Sequence, residues 1–250
     1  MYHHVAPRDA VPSAPGPEEG WQFSHSPEGF ARQLIALRRR GYRFVPLAGI
    51  VADIQRDGAE DPMSAAVTFD DGWADNYQFA FPVLKRLSIP ATFFVTTAPR
   101  LDRISESSRM SLAQLKELQT EGMTIGGHSR SHPTLTQLPP EQARDEITGC
   151  KADLENMLGV AMEFFAYPGG AFNLDVARLT REAGYAAACS TLGPARNDTS
   201  SLFWLYRDLV SESMDTWHDR YRLSRWARRF FSFRVRRKLR IRLRAKPAFY

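Results

Sequence analysis

Two short stretches of the 250-residue sequence carry side chains that could do chemistry together. His128-Ser129-Arg130-Ser131-His132 sets two imidazoles four residues apart. On one helical turn they would share a face and could grip a divalent ion. The plain alternative is a pair of loop histidines, one capping and one in solvent. A metal role needs a third ligand from another strand end, and Asp71, in Thr68-Phe69-Asp70-Asp71-Gly72, is the natural donor. A carboxylate beside two neutral imidazoles leaves a tetrahedral cation one open position. With Asp71 on the cation, the ion's charge offsets the repulsion between neighbouring carboxylates and lets Asp70 stay ionised as a general base. Successive strand residues face opposite ways. Both carboxylates therefore reach one site only if the chain leaves extended geometry at Asp71, which Gly72 is suited to permit. Taken alone, Asp-Asp-Gly reads more simply as a solvated turn in which one Asp caps the next helix.

Strands must deliver these side chains to one place. Ala65 to Phe69 reads as a buried strand ending at Asp70. Met123 to Ile125 leads into Gly126-Gly127-His128, and Phe164 to Tyr167 runs into Pro168-Gly169-Gly170. Further strands are expected over Tyr2 to Val5, Tyr42 to Leu47, Ala91 to Val95 and Tyr185 to Ser190. Helical spacing appears at Phe30, Leu34, Ile35 and Leu37, with Gly41 as the stop, and again from Ile50 to Ile54. A helix through Tyr77 to Leu87 contains Pro82, which either starts its second part or kinks it. Ser111 caps a helix that Gly122 ends; Pro140 to Leu158 is closed by Gly159, and Val176 to Ala183 by Gly184. Strand and helix alternate about six times, which points to a parallel sheet or (β/α) barrel and away from all-α and all-β folds. In such folds the loops after the strands hold the chemistry. Asp70, Asp71, His128 and Tyr167 all fall there.

The two cysteines, Cys150 and Cys189, form no ligand pattern, so neither a disulfide framework nor a thiolate metal site is expected. The net charge of +5 averages two different regions. Residues 217–250 hold 13 of the 33 Lys+Arg and one acid, a net +12, which leaves −7 on 1–216. No apolar stretch approaches the roughly 20 residues that span a bilayer. Taking Met1 as the true start, no leader pattern opens the chain. The expectation is a cytoplasmic protein, or one peripheral at the inner membrane face.

Three motifs in order carry a resemblance. Thr68-Phe69-Asp70-Asp71-Gly72, then His128-Ser129-x-x-His132-Pro133, then Phe165-Ala166-Tyr167-Pro168-Gly169 resemble the successive motifs of the polysaccharide deacetylases, the NodB-homology domain of carbohydrate esterase type. The similarity extends from Tyr2-His3-His4-Val5 to about Arg207-Asp208-Leu209-Val210, and includes Ile89-Pro90-Ala91-Thr92-Phe93-Phe94-Val95. It implies an α/β fold, a distorted, incomplete (β/α) barrel over 1–216, with 217–250 as a basic C-terminal tail. The implied activity is hydrolysis of N-acetyl, sometimes O-acetyl, groups on sugars. By position, Asp71, His128 and His132 match the ligands of one divalent metal, Zn with Co or Ni as alternatives. Asp70 matches the catalytic base, and Tyr167 the tyrosine whose backbone N–H holds the oxyanion. Many relatives have a late Leu-x-His acid and an arginine near the tyrosine-proline motif that holds the catalytic aspartate. Neither is present here, where the late histidine is His218 after Thr216-Trp217 and the tyrosine segment reads Phe164-Phe165-Ala166-Tyr167. His3 is the expected replacement for the acid. Arg207 is the expected replacement for the arginine, paired with Asp70.

In the tail, Leu223, Trp226, Ala227, Phe230 and Phe231 follow a helical stripe among arginines. This reads either as a basic amphipathic helix for an anionic membrane surface or as a stripe docked on the barrel. Nucleic acid ranks below both, because no groove-reading motif accompanies the arginines. The functional reading is a metal-dependent deacetylase acting on an N-acetylated sugar, oligosaccharide or lipid-linked glycan. The alternatives are a glycan-binding pseudoenzyme and a related barrel hydrolase that cleaves a non-carbohydrate amide.

Overall fold

The computed structural model describes residues 1–10, 23–98, 109–193 and 196–210. In chain order its regular elements begin with α1 (Pro27–Arg39), β1 (Arg43–Phe44), α2 (Leu47–Asp57), β2 (Ser64–Ala65) and β3 (Val67–Phe69). There follow α3 (Phe81–Leu87), β4 (Ala91–Val95), α4 (Leu112–Thr120), β5 (Thr124–Gly127) and α5 (Pro140–Leu158). The last are β6 (Phe164–Ala166), α6 (Leu174–Glu182), β7 (Ala187–Ser190) and β8 (Leu205–Tyr206). Strands β3 to β8 form one parallel sheet in sequence order, and β1 pairs β2 in a separate two-stranded sheet. Consecutive parallel neighbours joined by helices are the mark of a (β/α) barrel.

The ring is incomplete. The first segment forms only isolated bridges, Tyr2 with Phe69 and Val5 with His25. Tyr2 donates its N–H to Thr68 at 2.9 Å, and Asp70 donates to Tyr2 at 3.1 Å. On the other side Val210 donates to the Met1 carbonyl at 3.2 Å. Residues 1 and 2 thus lie between the edge of β3 and the chain beyond β8. This brings the two ends of the sheet together and sets Asp70 within reach of Arg207.

The expected strand over Tyr2 to Val5 is thus reduced to bridges, and two others also differ from expectation. Tyr42 to Leu47 is a strand only at Arg43–Phe44. Pro46 stands at the cap of α2, and Leu47, Ile50, Val51 and Ile54 follow helical spacing and are buried. Ala65 to Phe69 is two short strands: Ser64–Ala65 pairs β1, Val67–Phe69 pairs β4, and the partner changes at Ala66. The helix through Pro82 begins as a π-helical turn, Asn76–Ala80, and Pro82 lies in the first turn of α3, where a missing N–H is tolerated.

Side chains alternate along each strand and so divide into two layers. On one layer Phe94, Phe164, Ala166, Ala187, Cys189 and Leu205 pack with Leu47, Ile50, Val51 and Ile54 of α2. On the other, Phe69 and Phe93 are register partners with rings stacked at 4.8 Å. Each fully buried aliphatic or aromatic side chain contributes about 1.5–3 kcal/mol. This core fixes the strand ends, and the strand ends carry the polar residues. Cys150 and Cys189 are free and buried. Among the described residues no helix is long and apolar enough to cross a membrane. The basic segment 217–250 lies outside the described residues.

Candidate active site

Thr68 and Asp70 share one face of β3 and its extension, two residues apart. Arg207 shares a face with Leu205 one step beyond β8, and its N–H continues the ladder to Ser190 at 2.9 Å. The guanidinium crosses to β3 and donates to Asp70 Oδ1 at 2.6 Å, Asp70 Oδ2 at 2.8 Å and Thr68 Oγ1 at 3.1 Å. Asp70 is 2% exposed and Arg207 8%. Burial opposes ionisation of Asp70, but Arg207 and then His128 outweigh it and hold the carboxyl down at about 2. Asp70 is therefore a carboxylate at neutral pH. Its two oxygens offer about four acceptor sites, of which Arg207 takes two, so Asp70 can still accept a proton.

After Asp70 the chain turns. Asp71 has φ 74° and Gly72 φ 76°, two successive left-handed residues. Asp is among the few non-glycine types that adopt this region at modest cost. The turn swings Asp71 to the side of the site that Asp70 faces, as the adjacent-carboxylate reading requires. Asp71 is not a helix cap. Its Oδ2 accepts from the Trp73 indole N–H at 3.1 Å, and its Oδ1 lies 3.5 Å from His128 Nε2 and 3.3 Å from His132 Nε2.

His128 follows β5 directly, and its own N–H extends the ladder to Val95 at 2.9 Å. A Cβ on Gly126 would lie 2.7 Å from the Phe94 ring, so glycine is required for the strand to run past Phe94. His128 Nδ1 lies 2.7 Å from the Ala166 carbonyl oxygen. A carbonyl only accepts, so Nδ1 carries the proton and Nε2 is turned to Asp71. His132 arrives by a loop, not a helical turn: Ser129 has φ 62° and His132 φ 60°. The Ser129 hydroxyl accepts the His132 N–H at 2.9 Å, closing the turn. Glu146 of α5 accepts from the Ser131 N–H at 2.8 Å and hydroxyl at 2.6 Å. The two imidazoles meet edge to face at 4.9 Å between centroids.

Asp71, His128 and His132 each offer one ligand atom, all within 4.8 Å of one another. His128 Nε2 is buried and has no hydrogen-bond partner, an arrangement that costs free energy unless something occupies it. Burial opposes charging of His128, but the Asp70 and Asp71 carboxylates raise its pKa nonetheless. The site attracts positive charge. One carboxylate oxygen and two ring nitrogens, one of them with an orphaned buried lone pair, could hold a divalent cation.

His3 faces the same site. Its imidazole is lowered from the ordinary value by burial, against the opposing pull of Asp70 and Asp71. Its Nδ1 is buried with no hydrogen-bond partner, and its ring packs beside Phe23 at 5.5 Å. Tyr167 departs from expectation. Its hydroxyl donates to the Phe203 carbonyl at 2.7 Å inside the core. Its N–H, expected to hold an oxyanion, donates to Cys189 at 3.1 Å as part of the β6–β7 ladder. A strand amide paired in the sheet is not available to a substrate oxygen.

The sequence reading missed Trp73 and Arg109. Arg109 donates to the Asp71 carbonyl, and its guanidinium lies 4.0 Å above the Trp73 ring. It also missed the His4–Asp75 pair, whose imidazole packs at 4.4 Å from the Trp73 ring. A signal existed for Trp73, which stands two residues after a candidate ligand with an N–H to offer. Arg109 is 38 residues from Asp71, and no local pattern joins them.

Comparison with known proteins places the chain in a family. A profile described as polysaccharide deacetylase matches residues 57–188. The Bacillus subtilis protein YxkH, which bears a polysaccharide deacetylase name, is 28% identical over 185 residues, 74% of this chain and 65% of its own length. The peptidoglycan-N-acetylmuramic acid deacetylase PdaA of Bacillus subtilis is 28% identical over 187 residues, 72% of this chain and 63% of its own. The chain thus spans under two thirds of the length of these curated relatives. Among solved structures, the Streptococcus pyogenes deacetylase PplD in complex with acetate superposes with a TM-score of 0.72 at 25% identity, covering 86% of this chain and 92% of that one. IcaB from Ammonifex degensii gives 0.69 at 29% identity, covering 86% and 91%. The profile covers more than half of the chain and includes Asp70, Asp71, His128, His132 and Tyr167, and the chain belongs to the polysaccharide deacetylase family.

Proposed function

We propose that this protein is a divalent-metal-dependent deacetylase that hydrolyses the N-acetyl group of an amino sugar within a glycan. The observation that carries the reading is the buried constellation of Asp71, His128 and His132 beside a second, separately anchored carboxylate, Asp70. Relatives named for peptidoglycan deacetylation and a related deacetylase solved with acetate support the substrate class.

Asp71 Oδ1, His128 Nε2 and His132 would hold the cation. When bound, the ion supplies Lewis acidity to an acyl carbonyl and to water. The remaining work falls to the chain. Asp70, ionised and oriented by Arg207, takes a proton from the attacking water as the water oxygen bonds to the acyl carbon. His3, in its imidazolium form, gives a proton to the leaving nitrogen as the C–N bond breaks, which releases acetate and a free amine; burial lowers its pKa, so this form is favoured as pH falls. The hydrogen bonds from Arg207 fix the direction in which Asp70 presents its remaining lone pairs. They do so at the expense of basicity.

The net +12 of residues 217–250 supports contact with an anionic surface, such as the inner face of a membrane that presents a lipid-linked glycan. Co-sedimentation with anionic vesicles that survives deletion of 220–250 would remove this part of the reading. The activity itself is tested by acetate release from a panel of N-acetylated glycans, with chelator and metal add-back. Release that stops with chelator and returns with Zn, Co or Ni is expected. No release from any member would favour a glycan-binding protein without turnover, or an amidase for another substrate.

A further inference from the structure

The carboxylate of Asp71 does not stand alone. Its Oδ2 accepts from Trp73 Nε1 at 3.1 Å in a buried contact, while Oδ1 alone lies toward His128 and His132. The indole that makes this bond has two further partners. Arg109 places its guanidinium 4.0 Å from the ring centroid, and His4 packs its imidazole at 4.4 Å. His4 is in turn tied to Asp75, which also takes Nδ2 of Asn76 at 2.7 Å. Arg109 has a second task, donating to the backbone carbonyl of Asp71. The segment that carries it pairs as an antiparallel bridge with Trp73, and the neighbouring Met110 N–H donates to Gly72 at 2.9 Å. The two left-handed residues, Asp71 and Gly72, are therefore pinned at both carbonyls by residues 109 and 110.

We propose that Trp73 and Arg109 are positioning residues for the metal carboxylate. Trp73 occupies Oδ2, so that Asp71 presents Oδ1 alone as a one-oxygen ligand. Arg109 clamps the indole and the left-handed turn that aims the carboxylate. The inference rests on the reading that Asp71, His128 and His132 bind a divalent cation. Outer partners of this kind hold a ligand's geometry and raise affinity by removing alternatives, here two-oxygen chelation and rotation about the carboxylate bond. Trp73 suits the task chemically because an indole N–H only donates, so it can hold a carboxylate oxygen but cannot compete for the cation.

The test uses the full chain, stripped of metal with chelator and titrated with Co(II), followed by visible absorption and by competition with Zn(II). Trp73→Phe keeps an aromatic face for Arg109 and His4 and removes only the donor. It is expected to melt close to the wild-type apo protein, to bind Co(II) about 10- to 100-fold more weakly, and to show a weaker d–d band as Asp71 becomes a two-oxygen ligand. Arg109→Met, which keeps an unbranched stem, is expected to weaken Co(II) binding in the same direction and serves if Trp73→Phe fails to fold. Wild-type affinity and spectrum in both variants, with Asp71→Ala binding nothing, would overturn the positioning role and leave the metal reading intact. A wild-type protein that binds no Co(II) would overturn the metal reading and this inference with it.

Discussion

Arg207 and Asp70, 137 residues apart, form a two-pronged ion pair at 2.6 and 2.8 Å across the ends of β8 and β3. The pair joins the two edge strands of the sheet at the point where the barrel is incomplete. It thereby links closure of the fold to orientation of the carboxylate that we assign as the base.

Removing the guanidinium leaves a buried carboxylate without its partner. Arg207→Met is expected to cost about 3–5 kcal/mol by chemical denaturation at neutral pH. Asp70 is held at about 2, below its unfolded value of roughly 4. Its contribution of about 2–3 kcal/mol is therefore present above the unfolded value and is lost as pH falls from 4 toward 2. Asp70→Asn should flatten the stability profile in that window. An Arg207 variant as stable as wild type, with an unmoved acid limb in its kcat profile, would show that the pair neither stabilises the protein nor tunes Asp70.

His3 is assigned the acid that protonates the leaving amine. His3→Ala is expected to lower kcat on an N-acetyl sugar by about 10²- to 10⁴-fold. The loss on an activated aryl acetate, whose leaving group departs without a proton, should be small. Equal losses on amide and ester would assign His3 a role in binding or folding instead.

Tyr167 is a core residue whose hydroxyl serves the Phe203 carbonyl. Tyr167→Phe leaves that buried carbonyl without its donor and is expected to cost about 1–3 kcal/mol, read as a lower melting temperature. Turnover at a temperature where both proteins are folded should stay within about twofold, since the hydroxyl lies outside the site. A large loss of kcat would place it in the chemistry.

Gly126→Ala tests the approach of β5 to the site. The added methyl would meet the Phe94 ring at 2.7 Å and the Phe164 carbonyl at 2.8 Å. Overpacking of this kind costs about 1–3 kcal/mol. Because His128 follows two residues later, metal affinity should fall with it, measured by Co(II) titration. Unchanged stability and affinity would mean that the strand relaxes freely.

Local signals in the sequence located most of what local physics decides. Ala91–Val95 is a strand over the expected residues because five consecutive buried positions need both faces covered. Pro140–Leu158 is a helix between a proline start and Gly159 in the left-handed region, both readable from residue types. Neither Asp-Asp-Gly nor His-x-x-x-His was legible as chemistry alone, since each also reads as an ordinary turn or loop; what pointed to a site was their joint placement after strands, in three ordered motifs. The missed features depend on partners far along the chain. The change of partner at Ala66 follows from where β1 and β4 lie, and the two histidines converge through left-handed loop residues that no helical period describes. Tyr167 could be placed at a strand end by its motif, but the sheet pairing that takes its N–H is set by β7. The clamp of Trp73 and Arg109 on Asp71 is of the same long-range kind.

The most direct measurement compares Asp71→Asn with Asp70→Asn, each assayed for bound metal and for acetate release from an N-acetylated glycan. Asp71→Asn is expected to lose the metal and the activity together. Asp70→Asn is expected to keep the metal at wild-type stoichiometry and to lose the activity. Two variants that behave alike in both assays would contradict the division of one adjacent pair into a ligand and a base.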